Sequence, residues 1–149
     1  MNAFAAAGAG FLLAVLWFDL MFDVQALGRG QGELPEETLA SIAAYYSRVT
    51  TRARPMNRLV AVVMVATLGV IVAEIAAGEV RAWVAWVSLV LAGAAIGVAG
   101  ARTVPSAVRL GARTDPPARQ SALARSVLHE HLFCLAAIAT LLVLQLAFG

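Results

Sequence analysis

Residues 59–101 read LVAVVMVATLGVIVAEIAA, then GEVR, then AWVAWVSLVLAGAAIGVAGA. Each long run is close to the roughly 20 apolar residues, rising about 1.5 Å apiece, that carry a helix across a bilayer core. Only Glu74 is ionisable within them. The link Gly78–Arg81 leaves room for a tight turn and nothing more, so the stretch predicts an antiparallel hairpin of membrane-spanning helices at 59–77 and 82–101.

Two more runs of this kind lie outward of the hairpin, at 3–22 and 128–148. The first has no basic residue before it, and Asp19 and Asp23 interrupt its end, so it reads as a helix of the mature protein rather than a signal peptide. The whole chain agrees with this reading. Of its 149 residues 61% are hydrophobic and 13% charged, and the mean hydropathy is +0.82. Such a composition excludes disorder and a water-soluble domain, and the single cysteine, Cys134, excludes a disulfide framework. All 11 basic residues are arginine and the formal net charge is only +2, which excludes a nucleic-acid binder.

Between the first two spans, Gly28, Gly30 and Gly32 suggest a flexible exit, and Pro35 with Glu36 and Glu37 has the chemistry of a helix start. Leu39, Ile42, Ala43, Tyr46 and Val49 then recur at helical spacing, predicting an amphipathic helix over about 35–52, on the membrane surface or under the bundle. Arg48, Arg52, Arg54 and Arg58 close this connection, with Pro55 marking a break. The other long connection, 102–127, carries Arg109, Arg113, Arg119 and Arg125, and Pro105, Pro116 and Pro117 are expected to limit its regular structure. Four spans put both arginine-rich connections on one side, which the positive-inside rule makes cytoplasmic, with both termini and the Glu79 turn outside. Trp17, Phe18 and Phe22 near one interface, and Trp83 and Trp86 near the other, agree with aromatic belts. The expected fold is thus an all-α integral membrane protein of the bacterial inner membrane. It forms one domain over 1–149, a four-transmembrane-helix bundle with one amphipathic cytoplasmic helix.

The inner ends of the four spans share one depth, and the polar residues collect there: Asp19 and Asp23, Arg58, Arg102, and His129 to His131. Asp19 and Asp23 are one turn apart on a face that continues through Gly8, and a carboxylate there is costly unless it faces the bundle. The alternative to a site is that Arg58 or Arg102 pairs with them and pins the helices. His129 and His131 point to opposite sides of a helix, so they are no ligand pair. His131 shares its face with Cys134, Ile138 and Gln145 and is the one expected to look inward, with His129 near Arg125 on another face. Asp19, Asp23 and His131, with Cys134 nearby, could hold a metal ion or relay protons; interhelical hydrogen bonding alone is the competing reading. Glu74 is expected to snorkel outward unless it meets Gln145, which should lie at similar depth. Gly93, Gly97 and Gly100 form a small-residue surface that allows close helix approach, internally or toward a membrane partner or second copy. No CxxC, GxSxG or Walker loop is present, nor a mid-membrane histidine pair for haem b.

The outline of four spans, a polar segment after the first, arginine with proline before the second, and a histidine opening the fourth in Ser126-Val-Leu-His129-Glu-His131-Leu resembles the anthrone-oxygenase-like group of small bacterial four-helix membrane proteins. The resemblance covers the whole chain as an outline. It implies oxidation of a small aromatic or lipophilic molecule and assigns no catalytic residue. Two functions follow as expectations. One is a non-catalytic accessory or assembly subunit of a membrane complex, which the lack of a motif favours. The other is an enzyme or carrier whose polar site binds a lipophilic molecule, a proton or a metal ion. A site needs Asp19 and His131 to face a cavity, whereas a docking subunit buries them in pairs and exposes an apolar face.

Overall fold

The computed structural model describes residues 1–27 and 32–149, apart from the side chain of Arg54. The glycine-rich exit expected at Gly28 and Gly30 lies outside the described residues. Among those described, the chain is helical throughout and contains no strand: α1 (Asn2–Asp23), α2 (Glu36–Tyr46), α3 (Arg54–Ala77), α4 (Ala82–Val98), α5 (Val104–Ala112) and α6 (Pro117–Phe148). Four continuous helical stretches are long and apolar enough to cross a membrane: Asn2–Ala26, Pro55–Ala77, Ala82–Ala112 and Pro117–Phe148.

The third and fourth of these are longer than expected, and proline is the reason. Pro117 sits at the start of α6, where a missing N–H would be unpaired anyway, so Pro116 and Pro117 begin the helix near residue 117 instead of delaying it to 128. Pro105 falls in the first turn of α5 and is likewise tolerated. The helix passes it because the preceding turn, Ala99–Thr103, widens to a π-helical turn. A second π turn, Ser47–Arg52, joins α2 toward α3, closed by Ala53 N–H donating to the Arg48 carbonyl at 2.8 Å. The break expected at Pro55 comes just before it, at Ala53.

The long helices pack in a ring, with α1 against α3 and α6, and α4 against α3 and α6. Ala5, Ala9, Leu12, Ile71, Ala92, Ala95, Ile138 and Leu141 fill its interior. The small residues among them let the backbones approach closely. At Gly8 on α1 a Cβ would collide with the Thr67 side chain of α3. One end of the ring gathers the chain termini and the Gly78–Arg81 turn: Asn2 Nδ2 donates to the Gln145 carbonyl at 3.1 Å, and the rings of Trp83 and Phe148 lie 5.6 Å apart. The other end is closed by α2. Its stripe of Leu39, Ile42, Ala43 and Tyr46 is buried, packed with Leu110 of α5 and Leu123, Val127 and Leu128 of α6. Glu36 on the opposite face stays exposed and meets Arg113 at 2.8 Å, a hydrogen bond that holds its carboxyl below the usual range.

Two sets of glycines thus have opposite roles. A Cβ at Gly111 would lie 2.6 Å from Ser47 N and 2.9 Å from Ser47 Cα, so α5 touches backbone at the end of α2. Gly93, Gly97 and Gly100 meet nothing within 4 Å and face outward, contrary to the internal packing that such a motif more often serves. Thermal unfolding in detergent should separate them. Gly111→Ala is expected to destabilise by about 1–3 kcal/mol through overpacking, whereas Gly97→Ala should leave stability unchanged or raise it by up to about 1 kcal/mol.

Candidate functional site

Asp19 and Asp23 end α1 on one face, and α2 and α6 each bring a partner to them. Tyr45 donates its hydroxyl to Asp19 Oδ1 at 2.6 Å, and Tyr46 donates to Asp23 Oδ1 at 2.6 Å. His131 of α6 lies between the carboxylates. Its Nδ1 is 2.6 Å from Asp23 Oδ2, while its Nε2 is 3.8 Å from Asp19 Oδ2, beyond hydrogen-bond reach. Asp23 is only 1% exposed, and both its oxygens are occupied. The ring of Phe22 stacks on Tyr45 with centroids 4.0 Å apart, which fixes the phenol beside Asp19.

The sequence reading brought Asp19, Asp23 and His131 to one place, and they meet there. It placed the wrong partners beside the carboxylates. Arg58 is exposed and forms no ion pair with them among the described residues. Arg102 instead reaches Glu130, its Nε 3.3 Å from Oε1. Cys134 is buried in the ring's interior with Sγ donating to the Ala95 carbonyl at 3.6 Å, a turn away from the carboxylates. Among the described residues no group of three or more His, Cys, Asp or Glu side chains is arranged to share a metal ion. Asp23 and His131 form a hydrogen-bonded pair capped by Tyr46, and Asp19, held by Tyr45, lies beside it without a hydrogen bond to the imidazole. His129 faces outward, as expected, with Nδ1 2.7 Å from the Arg125 carbonyl.

Three side chains of this region were missed. Tyr46 had been read for its apolar body alone and Tyr45 was not singled out, although a tyrosine whose body is buried usually needs a partner for its hydroxyl. Glu130 was named only as a neighbour of the histidines. It is buried and draws donors from Thr103 at 2.8 Å and Ser126 at 2.9 Å, tying the Ala99–Thr103 turn to α6.

At the opposite end of the ring Glu74, Ser88 and Gln145 are all fully buried. Gln145 Nε2 donates to Glu74 Oε2 at 3.1 Å and to Ser88 Oγ at 3.3 Å. Glu74 does not snorkel; it meets Gln145, the alternative that their shared depth had raised. Glu74 Oε1 and Gln145 Oε1 are left without a partner.

Two clefts open near the first site without entering it. Both are lined by Arg102, Ser126 and Glu130, and neither includes Asp19, Asp23 or His131. Compared with protein-family models, curated proteins and solved structures, the chain matches none of them.

Burial, and secondarily the nearby Asp19 and Asp23 charges, pushes both phenols well above the ordinary tyrosine range. A group whose folded pKa is raised adds stability that is complete below its unfolded value, about 10, and is lost as pH climbs through the folded value. Tyr45 and Tyr46 are the only tyrosines in the chain, so the rise in absorbance at 295 nm with pH, above the constant tryptophan background, reads them alone. No tyrosinate signal is expected from folded protein at pH 11; a full step near pH 10 without unfolding would contradict this network. Tyr46→Phe, which strips one donor from Asp23, should cost about 1–3 kcal/mol.

The second cluster has its own signature. Gln145→Leu removes the only side-chain donor to Glu74 among the described residues and should lower stability by about 1–3 kcal/mol. Adding Glu74→Leu should restore most of that loss, because both buried polar groups are then gone. An equal or larger loss in the double variant would show that packing, and not the pair, holds this end.

Proposed function

We propose that this chain is a multi-pass protein of the bacterial inner membrane, with its arginine-rich connections in the cytoplasm and its termini outside, acting as a non-catalytic accessory or assembly subunit. The observation that carries the reading is that the polar site opens into neither nearby cleft. Asp23 spends both oxygens on His131 Nδ1 and the Tyr46 hydroxyl, and Asp19 Oδ1 is taken by Tyr45, while both clefts are lined by other residues. A catalytic or carrier site would instead line space that a substrate could enter.

The outer surface supports the same reading. Val62, Val65 and Val90 are more than half exposed, which suits lipid and not water. Along α4 and into the turn after it, Trp86, Val90, Gly93, Gly97 and Gly100 make an open stripe at the spacing by which membrane helices pair. This is the face offered to a partner helix. The outline shared with the anthrone-oxygenase-like group supports the enzyme alternative, which would require substrate to reach His131.

Labelling and mutation test the proposal together. On a Cys134→Ser background, a cysteine at Arg113 should react only from the cytoplasm and one at Glu79 only from outside. In native membranes, Gly97→Leu should abolish cross-linking of α4 to a discrete partner band while leaving the unfolding temperature unchanged, since the new side chain meets nothing within its own chain. The paired change Asp23→Leu with His131→Leu should retain that band. Loss of a bound lipophilic molecule or metal in the pair, with Gly97→Leu silent, would favour the enzyme or carrier instead.

A further inference from the structure

The two clefts beside Arg102 adjoin, sharing Arg102, Ser126 and Glu130, and differ in chemistry. The larger, about 440 Å³, lies between α5 and the start of α6 and is lined by Arg102, Arg109, Arg119, Ser106, Ser126 and Glu130. The smaller, about 350 Å³, shares Arg102, Ser126 and Glu130 and adds Val98, His129 and Phe133. One end is therefore cationic and hydroxyl-rich, and the other runs down onto apolar surface, where Phe133 is 47% exposed.

The single acidic member is already neutralised. Glu130 receives Thr103, Ser126 and Arg102 across its two oxygens. Arg109 forms a fork with Asp115 at 2.6 and 3.2 Å, but a guanidinium has more N–H donors than that contact uses. Arg119 is exposed and has no ion pair among the described residues. The lining thus keeps an excess of positive charge and spare donors suited to phosphate oxygens.

Depth selects between a free anion and an amphiphile. About 20 residues of helix fill a bilayer core. Counted from Ala82 along α4, or back from Phe148 along α6, that length ends near Arg102 and His129. Val98 and Phe133 then lie at the hydrocarbon edge and Arg102 at headgroup level, while Arg109 and Arg119, about 10 and 15 Å further along their helices, line the same cleft from the water side. We propose that this cleft is a binding site for an anionic phospholipid, with its phosphate among Arg102, Arg109 and Arg119 and an acyl chain along Val98 and Phe133. The proposal rests on the membrane location argued above but is independent of the accessory role. Retention of the protein in carbonate-washed membranes checks that location separately.

The test uses the full chain in dodecylmaltoside, titrated with phosphatidylglycerol, phosphatidylcholine or inorganic phosphate and read by native mass spectrometry. Phosphatidylglycerol should bind saturably, at least tenfold more tightly than either comparator. Arg109→Gln with Arg119→Gln should weaken it at least tenfold, and Arg52→Gln by less than twofold. Equal binding of phosphatidylcholine, equal binding of inorganic phosphate, or an equal loss in Arg52→Gln would each overturn the proposal. A photoactivatable phosphatidylglycerol applied to the unaltered protein needs no variant to fold. Adducts concentrated at Val98–Arg102 and Phe133 are expected, and adducts spread evenly along α3 would refute the site.

Discussion

The carboxylate of Asp23 is shut away from solvent, and a buried carboxylate is tolerable only where donors surround it. The donors come from two different helices: the Tyr46 hydroxyl from α2 and the His131 ring from α6. That need constrains the whole arginine-rich end of the molecule. If α2 left the ring, Asp23 would lose one oxygen's partner while the other stayed buried against α6. The apolar contacts of Leu39 and Ile42 with Leu110 and Leu128 require the same placement of α2, so polar and apolar interactions reinforce one register.

The opposite end repeats the device with different residues. Glu74, Ser88 and Gln145 cross-link α3, α4 and α6, while the ring between the two clusters is filled with alanine, leucine and isoleucine. Apolar helix faces slide and rotate against each other at little cost, because one aliphatic contact resembles the next and lipid resembles both. Hydrogen-bonded pairs at the two ends do not permit such movement. With α1 fixed to α6 at one end and α3 and α4 fixed to α6 at the other, the ring is held to one arrangement, although its middle carries little that would specify it.

Much of this could be read in the residues and some of it could not, for physical reasons. Run length and the short Gly78–Arg81 link are enough to mark four long apolar helices. The depth shared by Asp19, Asp23 and His131 is enough to bring those side chains together. The tyrosine partners were hidden, because an amphipathic pattern tells which face of α2 is buried but not how α2 is turned relative to α1. The prolines misled in a similar way: Pro117 is at home in a first turn, Pro105 is accommodated within a continuous helical stretch by the π turn before it, and only the structure shows which position each occupies. Gly93 and Gly97 illustrate a deeper limit. In a soluble protein small apolar residues mark the inside, but in a chain of this composition both faces of α4 are apolar, so hydrophobicity cannot separate the interior from the surface.

The exclusive use of arginine fits the same architecture. Setting orientation in a membrane needs only positive charge, and lysine would serve as well. At this end of the molecule the basic residues do more. Arg102, Arg109 and Arg113 each hold a carboxylate, on Glu130, Asp115 and Glu36 respectively. An ammonium engaged in such a pair is a point charge, largely satisfied by it, whereas a planar guanidinium can fork onto one carboxylate and still present N–H groups in another direction. Arg102 can therefore tie the Ala99–Thr103 turn to α6, and Arg109 tie α5 to Asp115 in the link that follows, while both face the proposed phosphate. Lysine at these positions would have to choose between the internal pair and the lipid.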